Sequence, residues 1–488
     1  MIKLNKSELR DKIYACWLGK NIGGTLGTPY EGLREINDCK GFSTKAGAPL
    51  PNDDLDLQLV WLLAFKNEGA KALNSKVLGE YWLEYITPYW NEYGISKANM
   101  RHGLVPPLSG EYKNYWKHSN GAWIRTEVWA CLYPGRVESA IRYAYEDSCV
   151  DHGSGEGTYA AIFTAAVESA AFIVDDINKL LEIGLSKIPS DSRMFKYITK
   201  AVECYKSGMS WQDARNTLAE MSLADPELGW FQAPANIGYT VIGLLYGGGD
   251  FKKTLLIACN CGDDTDCTCA TAGALLGIMH GTAIIPNDWK DHIGDDIITK
   301  CINTGAADVA DNSMEIPLTC TQLTNEIVNL HNITIYDDAA DNTSDDTDTE
   351  KFMGNDFALS LENRSGYYAE YESLLAKCLI EYSDKPEITP NGEISFKLSL
   401  KNKFVSQKSY NIEWMLPDGW SVSGNKSISC MNPTQSEQAK YTVTAGENVN
   451  SKNMLVISIS CDGHFDMLLI PIIPVSYTHL TLPTSDLV

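Results

Sequence analysis

Two acidic clusters each precede an apolar helical pattern. Asn52-Asp53-Asp54 leads into Leu55-Asp56-Leu57-Gln58-Leu59-Val60-Trp61, and Gly262-Asp263-Asp264-Thr265-Asp266 leads into Cys267 and a small-residue run ending at Met279. A carboxylate at a helix N-terminus is stabilised by unpaired N–H groups and by the helix dipole, so one acid per cluster needs no explanation beyond capping, and Asp56 and Asp263 fit that role. Adjacent acids repel one another, however, and paired carboxylates are natural ligands for a hard divalent cation. If the two helix starts face each other, Asp53, Asp54, Asp264 and Asp266 supply oxygen ligands for one or two Mg2+ ions. Cys259, Cys261, Cys267 and Cys269 bracket the second cluster and raise zinc as an alternative. The usual two-residue spacer is missing, and Cys267 and Cys269 lie about 200° apart on a helix, so buried thiols packing a helix contact are the better reading.

Other residue types add weaker signals. His102, His118, His152 and His280 could be ligands or proton carriers, although a lone histidine is more often structural; His152 stands out because Gly153, Gly155 and Gly157 follow it. Glycines at 19, 23, 24, 27 and 32, and the Ser119-Asn120-Gly121 turn, would let the backbone approach a ligand. None forms a Walker loop, and none follows a strand as a dinucleotide fingerprint must. Trp82, Tyr85, Tyr89, Trp90, Tyr93, Tyr112, Tyr115, Trp116 and Trp123 are core candidates, some of which could line a cleft and stack on an adenine or a sugar.

The elements that position these groups are helical as far as residue 335. Ser7 can cap a helix with Leu9, Ile13, Cys16 and Trp17 on one face and Gly23-Gly24 at its end. Leu55–Phe65, Ala160–Ile173, Ile237–Leu245 and Thr268–Met279 follow, and their Ala, Gly and Ser content lets helices approach closely. The acidic run at 337–350 lacks apolar periodicity and reads as a linker over 336–355; it also lacks the glycine and spacing of an EF-hand loop. From 356 to 475, a helical stretch around Tyr367–Tyr382 is expected before the period changes to two at Ile394–Leu400, Tyr410–Trp414, Ala439–Val443 and Leu455–Ser460, with Pro417-Asp418-Gly419 as a turn. The expected fold class is therefore multidomain: an all-α domain over 1–335, then a small Ig-like β-sandwich. Residues 476–488 continue neither pattern and resemble a translated adaptor tail, so a longer natural protein with a fuller sandwich is expected.

Composition narrows the function. The chain has 488 residues, with 40 Lys and Arg against 63 Asp and Glu for a net charge of −23, which disfavours nucleic acid and anionic membranes as partners. Its 44% hydrophobic and 21% charged residues are those of an ordinary globular protein. No apolar run approaching the ~20 residues of a membrane span is expected, and Met1–Lys12 is too polar for a signal peptide, so a cytoplasmic location is expected. The 14 cysteines are too sparse for a disulfide framework.

Taken in order, the motifs resemble those of the ADP-ribosylglycohydrolases, the family of the dinitrogenase reductase-activating enzyme and the ADP-ribosylarginine hydrolases. The resemblance lies in Gly19-Lys20-Asn21-Ile22-Gly23-Gly24-Thr25-Leu26-Gly27-Thr28-Pro29-Tyr30-Glu31-Gly32, Asn52-Asp53-Asp54, Ser119-Asn120-Gly121-Ala122-Trp123-Ile124-Arg125, His152-Gly153 and Gly262-Asp263-Asp264-Thr265-Asp266, across roughly residues 8–290. It implies an all-helical domain with a binuclear Mg2+ site, Mn2+ being an acceptable substitute, at the bottom of a cleft that binds ADP-ribose. Asn52, Asp53, Asp54, Asp264 and Asp266 would hold the metals. Glu31 would act as acid/base or gate beside the ribose, with Asp54 and Asp264 as its catalytic partners. Ser119, Asn120 and Gly121 would contact the diphosphate, and His152 and Gly153 would complete the ligand site.

The implied activity is hydrolysis, by a metal-activated water, of an N- or O-glycosidic bond between ADP-ribose or a related ribosyl group and an acceptor such as a protein side chain. A nucleoside or carbohydrate-linked glycoside is the alternative substrate, and an ADP-ribose-binding module without catalysis is the alternative class. The chain departs from the family pattern at Asn52 and Leu55, where hydroxyl residues are usual, at Thr25, where the usual Asp is absent, and at Cys267, where a hydroxyl is usual and a thiol is a poor ligand for a hard ion.

Overall fold

Asn5 starts the first helix, Lys6–Gly27. Its Oδ1 accepts from the backbone N–H groups of Ser7 and Glu8, and Glu8 returns a bond to the Asn5 N–H at 3.1 Å. The cap is thus a reciprocal box two residues before the expected Ser7. Nor does the helix end at Gly23-Gly24. It continues to Gly27 because the helix Thr265–His280 lies along it with almost no side chains between them. A Cβ on Gly19 would stand 2.2 Å from the Gly273 carbonyl oxygen, one on Gly23 2.2 Å from that of Cys269, and one on Gly27 2.2 Å from that of Thr265. Spacing by four puts these glycines on one helix face, so the residues that weaken an isolated helix are what let this pair seat. Gly23→Leu is therefore expected to destabilise the fold by about 3 kcal/mol or more, read as a lower urea midpoint, because the obstacle is backbone and cannot rotate away.

The structure, a computed structural model, describes residues 5–302, 316–337, 352–353, 356–362, 366–430 and 436–476. Most of the acidic run, with the linker and calcium-loop readings, and the tail from 477 lie outside these residues. Two compact units emerge: residues 1–92 with 115–364, and residues 93–114 with 365–488.

In the first unit the expected helices appear as Asp53–Glu68, Glu156–Ala171, Ala233–Gly247 and Thr265–His280. Trp17, Trp61, Trp82, Trp123 and Trp129 are fully buried, whereas Tyr89, Trp90 and Tyr115 are exposed. Contrary to the expectation of no such run, Thr265–Ile284 is long and apolar enough to cross a membrane, but 78% of its most apolar window is buried. Its composition follows from its place at the centre of the helical core.

The second unit is a sandwich of antiparallel sheets. Strands β1 (Tyr368–Glu372), β2 (Ala376–Tyr382), β3 (Glu393–Asn402), β4 (Lys408–Met415), β5 (Ser421–Ser423), β6 (Ser427–Cys430), β7 (Ser436–Thr444), β8 (Leu455–Cys461) and β9 (Met467–Ile472) pair as β1-β2-β3-β7-β5 and as β6-β4-β8-β9. Ile380, Leu398 and Tyr441 from one sheet and Ile412, Ile457 and Ile470 from the other share a core. Tyr367–Tyr382 forms no helix: Ala376, Cys378, Ile380 and Tyr382 are buried in alternation, which is the period of a strand. Leu104, Leu108 and Tyr112, placed by the sequence in the helical domain, belong to this second core, and Tyr112 Oη donates to Glu387 Oε1 at 2.7 Å.

Candidate active site

The glycine-lined helix pair dictates where the acids meet. Because Gly27 packs on Thr265, the end of the first helix lies beside the start of the helix carrying Asp264 and Asp266. A short 3-10 turn, Thr28–Tyr30, then delivers Glu31. The next residues are stitched to the second cluster by two backbone bonds, Gly32 N to Asp263 O and Asp263 N to Leu33 O, each 2.8 Å. Gly262 is required there, since its φ is +76° and a Cβ would come 2.3 Å from the Glu35 carbonyl. The first cluster joins through Asn52, whose amide packs against Gly24 and whose Oδ1 accepts from Asp54 N at 2.7 Å. Asn52 thus caps the helix Asp53–Glu68.

Two overlapping groups result. Ligand atoms of Glu31, Asp264 and Asp266 lie within 4.8 Å of one another, as do those of Asp54, Asp266 and Cys267. Asp53, half-buried, belongs to neither, although its charge bears on Glu31 and Asp54. Asp54, Asp264 and Asp266 are buried, and Asp54 Oδ2, Asp264 Oδ1 and Asp266 Oδ1 accept no hydrogen bond from the described residues. The remaining oxygens are partly supplied: Asn120 Nδ2 donates to Asp264 Oδ2 at 2.6 Å, and Cys267 Sγ to Asp54 Oδ1 at 3.4 Å. Burial raises Asp264 to about 8, with Glu31 and Asp54 adding to the shift. Burial likewise raises Asp54 and Asp266 well above the carboxylate range, and Glu31, whose surface is exposed, is raised by the surrounding protein and then by Asp53. Close carboxylates with bare buried oxygens are the donor set of a hard divalent cation. The residues present fit one.

Behind the acids stands a buried network that sequence reading missed. Lys20 Nζ lies 2.6 Å from Glu127 Oε1 and 3.5 Å from Asp54 Oδ2, and Gln58 Nε2 donates to Glu127 Oε2 at 2.9 Å. Burial alone would lower the Lys20 pKa, but Glu127 and then Asp54 outweigh it and hold the ammonium charged. Asn236 Oδ1 accepts from Asp264 N at 3.2 Å, and Trp230, half exposed, borders Gly32 beside Glu31. Lys20 was visible only as an ionisable residue inside an apolar helical face, which is a signal for a buried partner.

The predicted ligand loop is turned inward. Ser119 Oγ donates to Trp116 O at 2.6 Å and sits 3.1 Å from His152 Nε2, while Asn120 Oδ1 accepts from Trp123 Nε1 at 2.9 Å. His152 is fully buried with Nδ1 2.8 Å from Asp151 Oδ1, and Asp151 is gripped by Arg125 at 2.8 and 3.1 Å. Gly121 O accepts from Arg125, and Gly153 O from Thr158. Ser119 and His152 therefore hold the loop, and Asn120 is the member whose side chain reaches the acids. His118 has its own structural task, its Nδ1 accepting from Glu156 N at 3.0 Å.

The capping roles expected of Asp56 and Asp263 are not observed. Asp56 Oδ2 instead accepts from the N–H groups of Lys300 and Cys301 at 2.6 and 2.7 Å. Asp263 takes a left-handed φ of 68° and faces Arg34 at 3.5 Å. The four cysteines do not form one site: Cys259 contacts Cys269 and Cys39, whereas among the described residues Cys267 alone of the four falls in a metal-competent group, and Cys269 Sγ donates to Leu255 O at 3.4 Å.

The family model for ADP-ribosylglycohydrolase matches residues 5–317, more than half of the chain. The chain belongs to the ADP-ribosylglycohydrolase family. Glycosidic-bond hydrolysis is therefore its chemistry at the coarse level, and the matched region contains all of the acids and loops described above. Among solved structures, an "ADP-ribosylglycohydrolase-related protein complex" is similar at 18% identity and a TM-score of 0.42, covering 67% of this chain and 99% of the other. A FixG-related protein from Vibrio parahaemolyticus is similar at 12% identity and a TM-score of 0.20, over 22% of this chain and 99% of its own. No curated protein matches.

Proposed function

We propose that this ADP-ribosylglycohydrolase-family chain is a divalent-cation-dependent hydrolase of the N- or O-glycosidic bond between ADP-ribose and an acceptor such as a protein side chain. The observation that carries this reading is the convergence of buried carboxylates on Asp54, Asp264 and Asp266: Asp264 Oδ1 and Asp266 Oδ1 accept no hydrogen bond from the described residues, and Asp54 Oδ2 faces the Lys20 ammonium at 3.5 Å without a hydrogen bond. Asp54, Asp264 and Asp266 would hold the cation, with Glu31 beside it at the edge, and the cation would supply Lewis acidity toward ribose oxygens and toward a water. Mg2+ suits the all-oxygen group.

The protein's own residues do the rest. Asn120 anchors Asp264, so that its other oxygen is presented at a fixed angle. Glu31, exposed at the edge of the acids with its pKa raised by the surrounding protein and then by Asp53, is placed to give a proton to the departing acceptor as the bond at the ribose anomeric carbon breaks. Trp230, beside Gly32, offers an exposed aromatic face at the same edge.

The test is release of ADP-ribose from mono-ADP-ribosylated arginine and serine peptides by the purified protein, with Mg2+ and with EDTA. EDTA-sensitive release from one peptide supports the reading and names the linkage. Turnover of nucleosides or glycans alone would transfer the site to another glycoside, and binding of ADP-ribose with no turnover at any Mg2+ concentration would make the chain a binding module. Glu31→Gln is expected to lower kcat on the order of 100-fold while leaving ADP-ribose affinity within a few-fold, measured by steady-state kinetics and calorimetry.

A further inference from the structure

We propose that Cys267 makes one of the two cation positions a sulfur-containing one, so that the Asp54, Asp266 and Cys267 position prefers a borderline ion such as Co2+ or Zn2+ to Mg2+. This rests on the reading above that the acids hold cations, and it goes beyond it by giving the two positions unequal chemistry.

Cys267 follows Asp266 in the first turn of the helix Thr265–His280, and its Sγ is 3.4 Å from Asp54 Oδ1. Ligand atoms of the three residues lie within 4.8 Å of one another. A second observation points to a ligand there: Asp266 Oδ1 is buried and accepts no hydrogen bond from the described residues, while Asp54 Oδ2 has the Lys20 ammonium 3.5 Å away. The neighbouring group, Glu31 with Asp264 and Asp266, contains oxygen alone. Asp266 is common to both, so a hard position and a softer one would share a carboxylate.

Donor chemistry then separates the ions. Mg2+ demands oxygen ligands and sheds water reluctantly, whereas a thiolate selects softer ions. When the ion binds, the sulfur lone pair takes the ion, and the S–H proton now directed at Asp54 Oδ1 leaves to solvent. The other cysteines near the cluster do not compete, since Cys259, Cys261 and Cys269 are absent from every metal-competent group among the described residues.

The experiment titrates the chelator-treated full-length chain with Co2+ alone and records its absorption spectrum. The expected result is a near-ultraviolet thiolate-to-cobalt band rising together with the visible d–d bands. Cys267→Ser and Cys267→Thr, each checked for folding by circular dichroism, should keep the visible bands and lose the near-ultraviolet one. In calorimetric titrations with Zn2+ and with Mg2+, Cys267→Thr should narrow the Zn2+ preference by roughly 10-fold or more. Visible bands without the near-ultraviolet band in the wild type would overturn the inference while leaving the acidic centre intact; the thiol would then only position Asp54. Absence of any Co2+ or Mg2+ binding would overturn both this inference and the proposed function.

Discussion

Asp264→Asn is expected to lower hydrolysis on the order of 100-fold or more and, in the chelator-treated protein, to raise the melting temperature. Both effects come from one side chain. Asp264 is buried, Asn120 supplies one of its oxygens, and the other has no donor among the described residues. Its folded pKa of about 8 stands above its ordinary 3.8, so the folded protein holds this proton more tightly than the unfolded chain does. The stability this contributes is full below pH 4, falls as pH rises, and is gone above pH 8. Asp56, raised by burial to about 7, has the same sign. The chelated wild type should therefore melt at progressively lower temperature from pH 5 to pH 8.5, and Asp264→Asn should flatten that slope. An Asn side chain can still accept from Asn120, and it adds an N–H donor facing Asp266. Saturating Mg2+ should reverse the trend in the wild type, because a cation that binds the ionised cluster stabilises the fold more as ionisation becomes easier. Melts at four pH values with EDTA and with Mg2+ test this, and an Asp264→Asn slope equal to that of the wild type would remove Asp264 as its source.

The same chain shows what a structural acid looks like. Asp151 is as deeply buried as Asp54, yet Arg125 and His152 outweigh its desolvation and hold it at about 2. Its oxygens are supplied by the Arg125 guanidinium at 2.8 and 3.1 Å. Among the described residues no Lys, Arg or His stands at ion-pairing distance from Asp264 or Asp266, and so they disfavour the fold without a cation. Groups that oppose stability and converge in one place are candidates for function in a way that satisfied acids are not. Asp56 shows that a raised pKa and a bare oxygen are insufficient alone: its Oδ1 also accepts no hydrogen bond from the described residues, but its Oδ2 takes the N–H groups of Lys300 and Cys301 and it stands in no metal-competent group among them.

Much of this was legible in the sequence because it rests on local rules. Helix periods, the two acidic starts and four of the strands could be read from spacing alone. Contacts across the chain could not. The four-residue glycine spacing at 19, 23 and 27 reads as turns until a partner helix is known, and only then becomes a packing face. Residues 376–382 alternate correctly for a strand, but a strand has to have neighbours, and its partners lie at 368–372 and 396–402. His152 beside glycines suggests a ligand site, but no local pattern shows that its ring lies 3.1 Å from Ser119, 33 residues back. Lys20 lies 107 residues from Glu127, and no local pattern links them.

Lys20→Met is expected to destabilise the protein by about 3–5 kcal/mol, seen as a large drop in urea midpoint with an unchanged slope. Lys20 is fully buried between Glu127 at 2.6 Å and Asp54 at 3.5 Å, and Glu168 adds a third charge that raises its pKa. Methionine fills a similar volume, so the loss measures charge and not a cavity. What makes it large is the remainder: Glu127 would keep only the Gln58 amide among these partners, and Asp54 would lose the ammonium that opposes its desolvation. Adding Glu127→Gln should therefore recover part of the loss, because an amide can pair with Gln58 without a buried charge. Lys20→Met alone in a background of Asp54→Asn should likewise cost less than in the wild type, and the size of that coupling measures how far the lysine serves the acid cluster as well as Glu127. Equal urea midpoints for wild type and Lys20→Met would mean that packing, and not the buried ammonium, holds Asp54 in place.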